Sequence, residues 1–384
     1  MQIRTGFVIL LFTGVFAFRC ADNPSTAVGI DYLGRGNLGS EMHRVFHAAP
    51  SDTFYQNNVH TGYSSFLYFG KFGAVEAKSL IRLDTLTITG SVDSLVLTFN
   101  QIAVFAQNTG SVTVHLSVLL KDWNADSICW NAFTSDYVGQ TIVSKTISRD
   151  DTALVFVLPK EWAVRLVDPQ QRNAPYGILV SADPADGMIQ VASVESYDYY
   201  GTSYTAELKC YINQSTTFVY AIEDAFIATT SLSPRSDRLS VVDGAGLRTL
   251  IRFPFSEIPA NATVNRALLT LHVDPAVSFP PIQTWMGLTA FMVKDSSYVL
   301  PQVVVDSTYG ISAIPSTDDS VRVFNITSFV QAWASGTLIN AGMLLRGSNE
   351  SGDVSGLVFF SSAADSTKRP SLDVFFTLPP DPQR

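Results

Sequence analysis

Tyrosines crowd one stretch of the chain, Tyr197-Asp198-Tyr199-Tyr200-Gly201-Thr202-Ser203-Tyr204. Aromatic rings stack on the apolar faces of sugar rings, while a nearby carboxylate or amide bonds hydroxyls. Tyr197, Tyr199, Tyr200 and Tyr204, together with Trp123, therefore form a candidate ligand-binding set whose ligand would be a polysaccharide. The blander reading is a tyrosine-rich loop lying on a sheet edge, with Trp123 and Trp130 as core or loop anchors.

Other candidate chemistry is thinner. Gly34-Arg35-Gly36-Asn37-Leu38-Gly39 has the spacing of a dinucleotide loop, and Ser40–Ala48 can be written as a helix behind it. That loop works only inside a βαβ unit, with an acidic residue about 20 positions on. Nothing after residue 50 alternates strand and helix, so the stretch reads as a tether. His43 and His47 stand four apart and would share a helix face, but zinc needs three or four ligands and no HExxH run is present. His60, His115 and His272 are scattered. There is no GxSxG elbow, and Asp150-Asp151 and Asp318-Asp319 sit in turn-like surroundings that suit solvated carboxylates better than a glycosidase pair. The chain reads as non-catalytic, with no metal site. A structural calcium held by loop carboxylates and carbonyls is the one cofactor left open, although no EF-hand run is present.

The ends and the charge say where the protein works. Arg4 precedes an apolar core from Gly6 to Phe18, too short to span a bilayer, which fits an export signal over residues 1–20. Val15-Phe16-Ala17 suits cleavage to a secreted form, whereas Cys20 stands where a bacterial lipoprotein carries its lipid, with Arg19 an unusual neighbour. The expected setting is extracytoplasmic: an outer-membrane or cell-surface lipoprotein touching the membrane through its lipid alone, or a secreted protein. Net charge is −9, which disfavours nucleic acid as a partner. Cys129 and Cys210 could pair in an oxidising compartment or could be two buried thiols.

The elements that must carry these residues are strands, and they recur. Lys78-Ser79-Leu80-Ile81-Arg82-Leu83 answers Arg248-Thr249-Leu250-Ile251-Arg252-Phe253. Val155-Phe156-Val157-Leu158 answers Val323-Phe324-Asn325-Ile326, and Ala174-Pro175-Tyr176-Gly177-Ile178-Leu179 answers Asn340-Ala341-Gly342-Met343-Leu344-Leu345. All are displaced by roughly 165–170 residues. A period that long means duplicated domains, not a solenoid. Short β-branched runs between Gly, Pro, Asn and Asp clusters point to an all-β chain of two tandem antiparallel β-sandwiches, jelly-roll-like in outline. The expected organisation is a tether over 21–46, a first sandwich over 47–213 and a second over 218–378, with Asn213–Thr217 as the joint. One helical turn is expected at Ser328–Ala334, with a counterpart at Lys160–Leu166.

The second half resembles the DNRLRE domain, an extracellular β-sandwich. The matching residues are Glu223-Asp224-Ala225-Phe226-Ile227 as its opening strand, Leu239–Phe253 with its Leu-Ile-Arg-Phe segment, and Ile258–Leu271. Phe324–Trp333, Asn340–Leu345, Phe360–Ser362 and Arg369–Leu372 complete the set, so that the resemblance covers nearly all of 219–378. The first half resembles it more distantly, through Leu80-Ile81-Arg82 and Trp123-Asn124-Ala125-Asp126-Ser127-Ile128-Cys129-Trp130, a tryptophan pair that the second half lacks. The resemblance implies a sandwich in an exported protein. It also implies a carbohydrate-binding or adhesive module, some members binding alginate-like polysaccharides, while others sit in large surface proteins; the alternative is a structural envelope assembly protein whose sandwiches are spacers that meet a protein partner.

Overall fold

The computed structural model describes residues 39–48, 52–106, 111–148, 150–167, 176–183, 187–196, 205–279, 286–315 and 318–380. Strands β1 (Ser40–His47) and β2 (Thr53–Gln56) come first. Then follow β3 (Phe66–Phe72), β4 (Val75–Leu83), β5 (Val92–Ala106), β6 (Ser111–Leu119), β7 (Val138–Ser148) and β8 (Ala153–Leu158). Helix α1 (Glu161–Val167) leads to β9 (Ile178–Ala182), β10 (Gly187–Ala192), β11 (Glu207–Ile212) and β12 (Ser215–Thr230). The order repeats as β13 (Arg238–Val242), β14 (Leu247–Ile251), β15 (Thr263–His272), β16 (Leu288–Val293), β17 (Val305–Ser312) and β18 (Val321–Asn325). Helix α2 (Thr327–Ala334), β19 (Met343–Gly347), β20 (Gly356–Phe360) and β21 (Ser371–Leu378) complete it. The fold is all-β and its ladders are antiparallel.

Alternation along the strands builds the cores. In β8 the residues Leu154, Phe156 and Leu158 turn inward while Val155 and Val157 turn out, the period of two that one buried face demands. One core gathers Phe69, Ile81, Leu97, Phe99, Phe156 and Leu208; the other gathers Ile251, Leu269, Phe324, Leu345, Phe359 and Phe376. Both expected helices form at the expected places, and α2 buries Phe329, Val330 and Trp333. In the first sandwich β5 and β12 are long enough to serve both layers. The first part of β12 pairs with β11 and the rest with β4, with a register shift between Ala221 and Glu223 where the strand turns the corner.

The strand pairing departs from sequence order. Asn213 and Gln214, both at positive φ, form a two-residue hairpin that returns β11 into β12, so the expected joint is a tight turn inside the first sandwich. Glu223–Ile227, expected to open the second sandwich, therefore completes the first. The second is completed from the other end of the chain. β1 pairs with β21 along its whole length and β2 pairs with β14, so Ser40–His47 is not a tether but a structural strand. The physical reason is visible in the residues. Asp52-Thr53-Phe54-Tyr55 matches Asp224-Ala225-Phe226-Ile227: Phe54 lies opposite Thr249 as Phe226 lies opposite Ser79. Those two hydroxyls each donate to the neighbouring strand's carbonyl at 2.8 Å. Opening strands of the two repeats are equivalent, and each sits in the sandwich of the other.

The junction is packed. Phe54, Val242, Ala245, Leu247, Phe279 and Val354 join the first core, and Phe279 meets Phe72 edge-on at 6.1 Å. The second core is separate, but the first runs on into the turn of the β13–β14 hairpin.

Candidate functional site

Each sandwich has a second buried patch on the outer side of its larger sheet, and the two differ in a way that bears on binding. In the first, Leu80 on β4 and Leu179 on β9 face outward and are covered by the loop after β6. Trp123 is the plug. Its indole N–H donates to the Tyr176 carbonyl at 3.2 Å, and the Arg82 guanidinium lies over its ring at 5.2 Å. Arg82 is further held by Asp122 at 2.7 Å and Glu223 at 3.2 Å, and Glu223 also accepts the Ala125 N–H at 2.8 Å. Trp123 is buried, so its expected ligand role is corrected to that of an anchor: its ring faces are spent on Arg82 and the sheet.

The second sandwich keeps the frame and changes the plug: Tyr298, Val303 and Val305, not a tryptophan, pack against Leu250, Ala341 and Leu344. Leu250, Arg252 and Ala341 stand where Leu80, Arg82 and Tyr176 stand in the first, and Ser297 follows β16 at the distance at which Trp123 follows β6. Ser296 takes the place of Asp122. Arg252 is exposed and has no ion-pair partner among the described residues. What results is a cavity of about 190 Å³ lined by Leu250, Ile251, Arg252, Ser296, Tyr298 and Ala341. An unpaired guanidinium beside a half-buried phenol suits a carboxylate on an otherwise apolar ring. The duplicated arginine is held by ion pairs in the first sandwich only.

Other expectations fall elsewhere. Tyr197, Tyr199, Tyr200, Tyr204, Cys20 and most of the glycine run lie outside the described residues. His43 and His47 lie on a strand, not a helix, about 13 Å apart at the usual rise and unable to share one ion. His43 stacks on Phe375 at 4.3 Å and meets Asp373 at 3.2 Å. The pairing considered for Cys129 and Cys210 is not formed. Both are free buried thiols, Cys210 inside the first core on β11 and Cys129 in the loop that follows Trp123.

Carboxylates missed from the sequence gather at the junction. Asp243, in the β13–β14 turn, is almost wholly buried, and that burial, with Asp353 and Glu350 beside it, pushes its carboxyl well above the usual carboxylate range. Burial likewise raises Asp224, with Glu195 adding to the effect. The junction trio does not fit the calcium left open by the sequence. Glu350 is engaged bidentately by Arg248 at 2.6 and 2.8 Å, and Asp353 receives the Val354 N–H at 2.7 Å and the Ser355 hydroxyl at 3.0 Å. No group of three or more metal-ligating side chains is arranged to hold an ion among the described residues.

No family model and no curated protein matches the chain. Among solved structures, a Parabacteroides distasonis protein presumed to be secreted is similar at 10% identity and a TM-score of 0.18, over 90% of both chains. Structures of the Gx and Gt strains of infectious bursal disease virus are similar at 11% and 10% identity, each with a TM-score of 0.13, over 90% of this chain and 83% of theirs. Scores this low carry no argument about fold or role. No helix among the described residues is long and apolar enough to cross a membrane.

Proposed function

We propose that the protein is an exported, non-catalytic cell-surface protein, lipidated at Cys20, whose second sandwich binds an acidic glycan. The observation that carries this is the open Arg252–Tyr298 cavity, equivalent in position to the place that Trp123 fills in the first sandwich. Arg252 supplies a planar donor fork for a uronate carboxylate, and Tyr298 supplies an aromatic face for the ring. The N-terminal apolar run supports export, and the DNRLRE-like residues of the second half support a glycan as the ligand class. Affinity electrophoresis through gels holding acidic or neutral polysaccharides tests the reading. Retardation by an acidic polymer, lost in Arg252→Ala, is expected; equal mobility in every gel contradicts it.

A second reading, an envelope assembly protein with a protein partner, has its own observation. Phe218, Tyr220 and Ile222 on β12 and Val157 on β8 are 45%, 48%, 52% and 65% exposed on the outer face of the first sandwich's smaller layer. A strip of this kind suits a protein surface. Cross-linking in cells gives a defined protein neighbour on that reading and none on the first.

A further inference from the structure

We infer that β1 (Ser40–His47) and β2 (Thr53–Gln56) are an exchangeable strand pair, and that this protein associates with a second copy of itself by lending them to the other copy's second sandwich. The seat they occupy is the one that β12 occupies in the first sandwich. There, one strand arriving through a tight hairpin runs along β11 and then β4. In the second sandwich the same two ladders are made by β1 on β21 and β2 on β14, from a segment that precedes the whole first sandwich in the chain.

Recognition of that segment is local. Its ladder partners belong to β21 and β14, and the Ala48 N–H donates to the Pro370 carbonyl just before β21. Asp52 accepts the Ser362 N–H at 2.9 Å and its hydroxyl at 2.5 Å, the counterpart of Asp224 accepting the Val194 N–H at 2.9 Å. The Gln56 amide donates to Ala245, and the Asn57 N–H to Gly246. Each of these acceptors and donors would greet the same segment arriving from another molecule.

The hold is also light enough to release. Among its described residues the segment buries Phe46, Ala48, Phe54 and Tyr55, and β1 is an outermost strand whose other side chains are mostly exposed. Edge elements with few buried side chains open before the core does. Exchange of an identical element conserves every pairing it makes and alters only the hinge, here residues 57–65 between β2 and β3. The repeats already show that equivalent strands accept each other's seats, because each opening strand lies in the other repeat's sandwich.

Glu41 and Thr377 face each other in the β1–β21 register, whereas Ser371 faces His47 at the far end. Full-length Glu41→Cys and Thr377→Cys chains, each also carrying Cys20→Ser, are mixed, incubated and oxidised. A covalent dimer on a non-reducing gel, absent when Glu41→Cys is mixed with Ser371→Cys, is expected. One chain carrying both Glu41→Cys and Thr377→Cys should bridge on oxidation, within itself where unexchanged and as a doubly bridged dimer where exchanged. If that double variant bridges within one chain while the mixture yields no dimer beyond the out-of-register pair, the exchange is refuted. If the double variant forms neither bridge, within a chain or between two, the seat itself is wrong and the inference falls with it.

Discussion

Phe46 offers a sharp test of where the N-terminal strands belong. It lies near the end of β1, buried in the second core with its ring edge-on to Phe255 at 5.6 Å. Replacing a core Phe by Ala costs about 3–5 kcal/mol, and a position on an outermost strand belongs at the lower end. At about 3 kcal/mol, and with tenfold per roughly 1.4 kcal/mol, local opening should rise about 100-fold. Hydrogen exchange followed by mass spectrometry on intact Phe46→Ala protein would read this segment by segment. Amides of β21, paired along all of β1, should lose about two orders of magnitude of protection, and β15 behind it should follow. Amides of β6 and β9 in the first sandwich should stay near wild type. Unchanged protection in β21, the outcome for a residue in a mere tether, would refute the reasoning; so would loosening that begins in β6.

Other outcomes follow from the buried groups. Asp243 and Asp224 have carboxyls raised by burial, so the stability they lend is complete below the ordinary carboxylate value and is lost as pH climbs through their higher folded values. Calorimetry should show Tm falling from mildly acidic to neutral pH, and Asp243→Asn should flatten that slope and raise the neutral Tm by a few degrees, at roughly 2–4 °C per kcal/mol. A steeper slope in Asp243→Asn would count against the buried charge. Trp123→Ala should cost about 3–5 kcal/mol, seen as a lower denaturation midpoint, because it unseats the loop over Leu80 and Leu179. A midpoint within error of wild type would mean the indole is no anchor. The Cys210 thiol, pushed up to about 11 by burial, should resist thiol reagents until the protein unfolds, and a reductant should leave Tm unmoved; a drop on reduction would reveal a bridge.

Much of this molecule was legible because β-structure writes itself with period two. Leu154, Phe156 and Leu158 against Val155 and Val157 gave β8, and Phe329 with Trp333 gave α2. The duplication was legible too, since Leu80-Ile81 in β4 and Leu250-Ile251 in β14 lie at equivalent places, each followed by an arginine. Strand exchange was not legible. Asp52-Thr-Phe-Tyr and Asp224-Ala-Phe-Ile are alike enough to fit either seat, so local residues specify a strand and its register without specifying which repeat receives it. One signal was available: Asn213-Gln214 between two alternating runs is a hairpin pattern that binds β12 to the strand before it. Ser40–His47 reads as polar because an outermost strand turns most of its side chains to water. The cavity was half-visible, in the loss of the tryptophan pair from the second repeat. The acidic junction was invisible, because Asp243 and Asp353 meet only once the hairpin turn reaches the loop before β20.

On the proposed reading the two repeats have parted roles, the outer patch of one sealed by Trp123 and that of the other keeping a cavity beside Arg252. Ser297→Trp places an indole in the second sandwich at the position Trp123 holds in the first. Titration calorimetry with an acidic oligosaccharide that retards the wild-type protein should show one site per chain, abolished in both Arg252→Ala and Ser297→Trp, with Tm preserved. Undiminished binding in those two variants, with an intact fold, would contradict the account.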